Sequence, residues 1–240
     1  MIINPTNFKK TLPLICVVGL LGLLFASCQK ITVPPVSNTP SAKLAITQGS
    51  PDQPFLDISI DNILVNQAPV EYATSSSYIS VAAGPTPVVF MNDGTGKTVL
   101  MDTLNLAQNT YYSLFLANTT SKTESFLLTD TLNKPAAGNA SLRFINLSPD
   151  APAVDLVVTG GATLVSNRGF KGFSSFAPMA AANGYNLEVH KAGTSTVLAT
   201  FTNFNMNAGF VYTIWLHGLV AGTTSADKLA LDVIDNAAFL

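Results

Sequence analysis

One pattern occurs twice in this chain. Residues 42–57, AKLAITQGSPDQPFLD, lie against residues 140–155, ASLRFINLSPDAPAVD, at a constant offset of 98. Over 42–61 and 140–159, 7 of 20 positions are identical. Tyr72 and Tyr78 match Phe170 and Phe176 at the same offset, as Thr98-Val99-Leu100 matches Thr196-Val197-Leu198. Tyr112-Ser113 and Leu116 match Tyr212-Thr213 and Leu216 after a two-residue slip. A tandem duplication in units of this size predicts two like domains, each long enough for a core of its own.

Within each copy the hydrophobic period is two. Leu56, Ile58 and Ile60 alternate with Asp57, Ser59 and Asp61, and Tyr112, Leu114, Leu116 and Tyr212, Ile214, Leu216 repeat the alternation. That period belongs to strands with one buried face. Asn92-Asp93-Gly94-Thr95-Gly96 is a hairpin turn, because Asn, Asp and Gly tolerate positive φ. Short strands separated by frequent turn signals, with no amphipathic helix after residue 28, predict an all-β chain of two tandem immunoglobulin-like antiparallel sandwiches. The expected boundaries are 42–130 for the first copy and 140–240 for the second, with 131–139 as linker.

The stretches ASLRFINLSPDAPAVD (140–155), AANGYNLEV (181–189) and VYTIWLHG (211–218) resemble the domain of unknown function family 4397. The resemblance covers about 100 residues and is carried mainly by the second copy. The first copy keeps Ser-Pro-Asp-x-Pro-x-x-Asp but has Gln48-Gly49 for Asn-Leu, and Ala45 where the family has Arg. The resemblance implies an extracytoplasmic β-domain and no established chemistry.

Residues 1–27 divide as a secretory signal does: Lys9 and Lys10, then an apolar run from Leu12 to Ala26 interrupted by Pro13, Gly19 and Gly22. The run is too short for a spanning helix of about 20 residues. Leu24-Phe25-Ala26-Ser27-Cys28 resembles a bacterial lipobox, with Phe25 where Leu is usual. Cleavage there would remove Cys16 and leave Cys28 as the single cysteine, acylated and holding the chain on a membrane. A Pro-rich tether follows within 28–41. Gln29 after the cysteine resembles an outer-membrane cargo signal, and no acidic residue follows before Asp52. The expected location is the outer membrane of a cell envelope, facing the periplasm or exposed on the surface.

Loss of Lys9 and Lys10 leaves ten basic residues against 14 acidic ones, a mildly acidic balance without a basic patch. Nucleic acid is not an expected partner. With 11% charged residues and abundant Thr, Ser, Asn and Gly, the composition suits an extracytoplasmic β-protein.

Candidate chemistry is sparse. Asp52 and Asp150 sit in Ser-Pro-Asp-x-Pro turns, each followed by a second carboxylate, Asp57 or Asp155. Such pairs could begin a Ca²⁺ site, or could serve a turn whose free backbone groups the side chains cap. Retention in both copies favours the turn. Asp93 to Thr98 mimics the end of a P-loop but lacks the leading glycine, and Lys97 has no counterpart in the second copy. His190 and His217 are the only histidines, without metal-ligand spacing or a Gly-x-Ser-x-Gly elbow. Alternation puts His217 and Trp215 on the face opposite Tyr212, Ile214 and Leu216, with Phe115 in the matching place of the first copy. That face could be a ligand or partner surface, or could pack on the neighbouring domain. Phe170, Phe173 and Phe176 are expected in core and edge packing. Asp102-Thr103-Leu104 and Asp130-Thr131-Leu132 resemble O-glycan acceptors, at Thr103 and Thr131.

The expected role is a non-catalytic binding, adhesion or scaffolding module without cofactor, whose partners are the membrane, through its lipid, and a glycan or another envelope protein. The alternatives are a glycan hydrolase using the Asp pairs and an accessory subunit of an outer-membrane complex.

Overall fold

The computed structural model describes residues 39–224 and 227–239. The signal segment, Cys28 and the tether up to residue 38 lie outside the described residues.

Nine strands build the first half: β1 (Ser41–Gln48), β2 (Leu56–Ile60), β3 (Ile63–Leu64), β4 (Thr74–Ser75), β5 (Ile79–Ala82), β6 (Gly84–Asn92), β7 (Thr98–Leu106), β8 (Tyr111–Ala117) and β9 (Glu124–Asp130). Eight build the second: β10 (Asn139–Asn146), β11 (Val154–Val158), β12 (Thr163–Arg168), β13 (Ala177–Ala180), β14 (Ala182–Lys191), β15 (Val197–Met206), β16 (Phe210–His217) and β17 (Ala230–Ala238). Among the described residues the helical structure is one 3-10 turn, Thr120–Lys122.

The strands form four sheets. In the first half these are β4-β1-β8-β9, with β5 also on β1, and β3-β2-β6-β7. The second half repeats the order as β13-β10-β16-β17 and β12-β11-β14-β15. The β1–β8 and β10–β16 pairs are parallel, whereas the hairpin partners are antiparallel. The chain is therefore all-β, with two β-sandwich-like halves in tandem.

The Ser-Pro-Asp turn carries the chain across the sandwich, so β1 and β2 lie in opposite sheets and β1 joins β8 in parallel.

Each half has one core made by the inward sides of its two sheets. Leu44, Ile46, Leu56, Ile58, Ile60, Phe90, Leu114 and Leu116 meet in the first. Leu142, Phe144, Leu156, Leu187, Val189, Ile214 and Leu216 meet in the second. Tyr112 and Tyr212 reach out of these cores to accept hydrogen bonds from the backbone N–H five residues upstream, Ala107 at 3.0 Å and Asn207 at 3.2 Å. A third cluster has a different composition. Phe115, Ala117 and Leu128 from the first half pack with Ile145, Leu147, Trp215 and Ile234 from the second. The β1-β8-β9 sheet and the β10-β16-β17 sheet thus bury their outer sides against each other.

Candidate functional site

The seam between the two sandwiches holds a buried polar network. Alternation along β10 puts Arg143 on the same side as Ile145, facing the other half. Its Nη1 donates to Asp130 Oδ1 at 2.6 Å and its Nε to Thr213 Oγ1 at 3.1 Å. Asp130 Oδ2 accepts from Tyr78 OH and Ser113 Oγ, both at 2.6 Å. Asn236 closes the circuit, accepting from Thr213 Oγ1 at 2.6 Å and donating to Tyr78 OH at 3.0 Å. The guanidinium also lies 4.4 Å from the centre of the Phe176 ring. Every member is thereby paired, which buried charge requires. Burial, and then the Asp130 charge, push the Tyr78 phenol well above the usual tyrosine value. Sequence reasoning did not find this network. Its one signal was Arg143 itself, a charge within an apolar strand at a position where the first copy has Ala45.

The same seam receives Phe115, Trp215 and His217, the three residues considered as a ligand or partner surface or as packing on the neighbouring domain. The three residues are 0%, 1% and 4% exposed. Trp215 and Phe115 are covered by the opposite half in the third cluster. His217 Nδ1 is 2.7 Å from Tyr72 OH and its Nε2 is 3.0 Å from Asp232 Oδ2. The partner of this face is the other half of the chain, since apolar sheet sides left in water would cost more than their mutual burial. His190 is elsewhere, 2.7 Å from Glu188 on β14.

The four aspartates weighed as metal ligands hold loops together. Asp52 accepts from Thr120 N–H and Oγ1 at 2.8 and 2.9 Å. Asp150 accepts from Val220 and Ala221 N–H at 2.8 and 3.0 Å. Each therefore clamps the loop that follows the central strand, β8 or β16. Asp57 accepts from Asn66 Nδ2 at 3.0 Å, and Asp155 from Asn167 and Gly193 N–H at 2.7 and 2.9 Å. The two members of each pair thus serve different loops. Among the described residues no group of three or more His, Cys, Asp or Glu side chains could hold a metal. Lys97 lies in the hairpin from β6 to β7, with no helix after it to make a phosphate cradle.

The departures of the first copy also find a place. Gln48 does the work of Asn146: their side-chain oxygens accept from Ser50 N–H at 2.7 Å and from Ser148 N–H at 3.0 Å. A Cβ on Gly49 would meet Leu116 O at 3.0 Å and Leu147 Cδ1 and Trp215 Cζ3 at 3.3 Å, so the glycine makes room for the second half.

At the two margins of the seam the loops before β5 and β13 border related clefts, each of about 370 Å³. The first lies among Thr129, Thr131, Asn133, Ser141, Arg143 and the run Phe173 to Phe176. The second is bordered by Ala73, Ser75 to Ser77, Trp215 and Asp232 to Asp235. Their shared origin is visible in Ser76 and Ser174, whose hydroxyls accept from Ile46 N–H at 2.9 Å and from Phe144 N–H at 3.0 Å. The linings have diverged. Phe173, 44% exposed, stands in one where Ser75 stands in the other. The second cleft carries Asp232 and Asp235 at its rim. Of the aromatic set singled out in the sequence, Phe170 packs against the seam cluster, Phe176 lies beside Arg143, and Phe173 is 6.0 Å from Phe126, centre to centre.

Residues 42–157 match the profile of the domain of unknown function DUF4397. This stretch is a DUF4397-like β-domain. The matched DUF4397 region covers the first copy and continues into β10 and β11, whereas the sequence resemblance was carried mainly by the second copy. No curated protein matches the chain. Among solved structures, the carbohydrate-binding module CBMbc (family CBM26) from Eubacterium rectale Amy13K, in complex with maltoheptaose, aligns at 9% identity. The alignment covers 81% of this chain and 97% of that one with a TM-score of 0.25.

Proposed function

We propose that this protein is a cell-envelope lipoprotein, acylated at Cys28 and held by that lipid at the outer membrane, whose joined sandwiches act as a non-catalytic binding module. The binding site in this reading is the seam cleft at Phe173. The observation that carries it is a set of side chains with nothing to do inside the protein: Thr129, Thr131, Asn133, Ser141 and Ser175 border the cleft, and none has a side-chain partner among the described residues. An opening of this size, walled by unengaged polar groups beside an exposed aromatic ring, has the makings of a ligand site. Arg143, held in the buried seam by Asp130 and Thr213, lines the cleft between its two walls. The hydrolase alternative needs two carboxylates converging on one bond. Asp52, Asp57, Asp150 and Asp155 instead point into separate loop hydrogen bonds.

Two measurements test the reading. Intact mass of the purified protein should show cleavage before Cys28 and acylation there, and Cys28→Ser should release the chain from membranes. The full-length protein, cross-linked in intact envelopes and recovered, should retain a ligand or partner that Phe173→Ala loses. Equal recovery by both forms would place binding elsewhere.

A further inference from the structure

We infer that the Phe173 cleft takes a short neutral oligosaccharide, an assignment that rests on the binding-module reading above and names its ligand. The lining is chemically uniform. Thr129, Thr131, Ser141 and Ser175 offer hydroxyls and Asn133 an amide, groups that donate and accept equally well. The one charge among the lining residues, Arg143, is paired with Asp130 at 2.6 Å and also donates to Thr213 and Ser113. An anionic or cationic ligand would find no counter-charge there. A purely apolar one would strip water from five polar side chains and give nothing back.

The aromatic component completes the match. Phe173 is 44% exposed, and the first copy shows that the fold does not require it, since Ser75 occupies the equivalent place. Phe126 supports one side of the ring at a centre distance of 6.0 Å and a tilt of 55°, so the ring is held while part of it remains open. A sugar ring is the ligand with this combination, an apolar C–H face for the aromatic side chain and a periphery of hydroxyls for Ser, Thr and Asn. The volume of about 370 Å³ is at the small end for ligand pockets and suits a short segment of a glycan chain. The sister cleft offers the internal comparison, with Ser75 for Phe173 and Asp232 and Asp235 at its rim.

The experiment is a binding screen of the full-length protein, kept in a detergent without a sugar headgroup. The probes are linear neutral oligosaccharides of glucose, mannose, galactose and xylose, with uronic-acid oligomers as the charged comparison. Saturable binding of a neutral series is expected. It should weaken about tenfold or more in Phe173→Ala, the loss of one stacking contact. Ser175→Val should weaken it as well, and Ser77→Ala in the sister cleft should leave it unchanged. Thermal melts of the variants separate lost binding from lost folding, and the exposure of Phe173 makes an unchanged melt the expectation. Binding of no neutral sugar, preference for the uronic acids, or indifference to Phe173→Ala in a folded protein would overturn the assignment. If sugars fail while envelope recovery still depends on Phe173, the binding reading survives with another ligand. If both fail, both readings fall.

Discussion

Arg143 and Asp130 belong to different sandwiches, and their side chains meet at 2.6 Å with only 3% and 0% of their surfaces exposed. A buried pair of this kind adds little over an apolar isostere, but it is costly to break from one side. Its place at the seam makes it a register device for the two halves. Arg143→Ala strands Asp130 and is expected to cost about 3–5 kcal/mol in urea unfolding. Arg143→Met with Asp130→Leu should recover part of that loss. A cost below about 1 kcal/mol for the single change would show that the pair is not sealed from water.

Gly49 and Trp215 test the seam by volume. Trp215→Ala empties a fully buried site and is expected to cost about 3–5 kcal/mol. Gly49→Leu, which puts in the residue that the second copy has at this place, drives a side chain toward Leu147 and Trp215 and is expected to cost about 1–3 kcal/mol or more. In the double variant the leucine enters space the indole has left, so the two costs should sum to less than additivity predicts. Strict additivity in chemical unfolding would place the two residues out of contact.

The clamping aspartates give a milder signature. Asp52→Asn and Asp150→Asn each weaken two hydrogen bonds to an exposed loop, with an expected cost of about 1 kcal/mol apiece. Millimolar Ca²⁺ should leave the melting temperature of the parent protein unchanged. A calcium-dependent rise that either substitution abolishes would make the turn a metal site after all.

Base should unlock the seam. Tyr72 and Tyr78 are both pushed above the usual tyrosine value of 10.0, chiefly by burial, with Asp232 and Asp130 adding to the effect. A phenol with a raised value in the folded state keeps its proton there while the unfolded chain gives it up. The stability is therefore complete below about pH 10 and falls as pH rises beyond it. Absorbance at 295 nm should show these two phenols titrating only with unfolding, and Tyr78→Phe should flatten the alkaline slope. Reversible titration of all tyrosines in a protein still folded would contradict the burial.

The cores were legible in the sequence because alternation is a local property. Leu56, Ile58 and Ile60, and Tyr112, Leu114 and Leu116, turn inward as their period requires. The Ser-Pro-Asp turns were legible as turns, since proline and short polar side chains act on neighbouring backbone. Which loops their carboxylates clamp was not, because Asp52 to Thr120 spans 68 residues. The same distance problem hid the network around Asp130, whose partners Tyr78, Ser113 and Arg143 come from separate strands and whose motif, Asp-Thr-Leu, suggested a surface acceptor at Thr131.

The sequence by itself determined that the chain is β-structured, that its pattern runs twice, and which residues of each strand avoid water. These follow from periodicity and from identity at a fixed offset, both of which are written along the chain. Tertiary structure decided which sheet each strand joins and what lies on the outward sides. Phe115 and Trp215 look the same in sequence whether they face solvent or another domain, and only the mutual burial of two sheets removes them from the surface. The same packing left Phe173 at the margin of the seam, open among hydroxyls, where its copy-one equivalent is a serine. An exposed ring and a buried one differ in their neighbours, and neighbours are fixed by the fold.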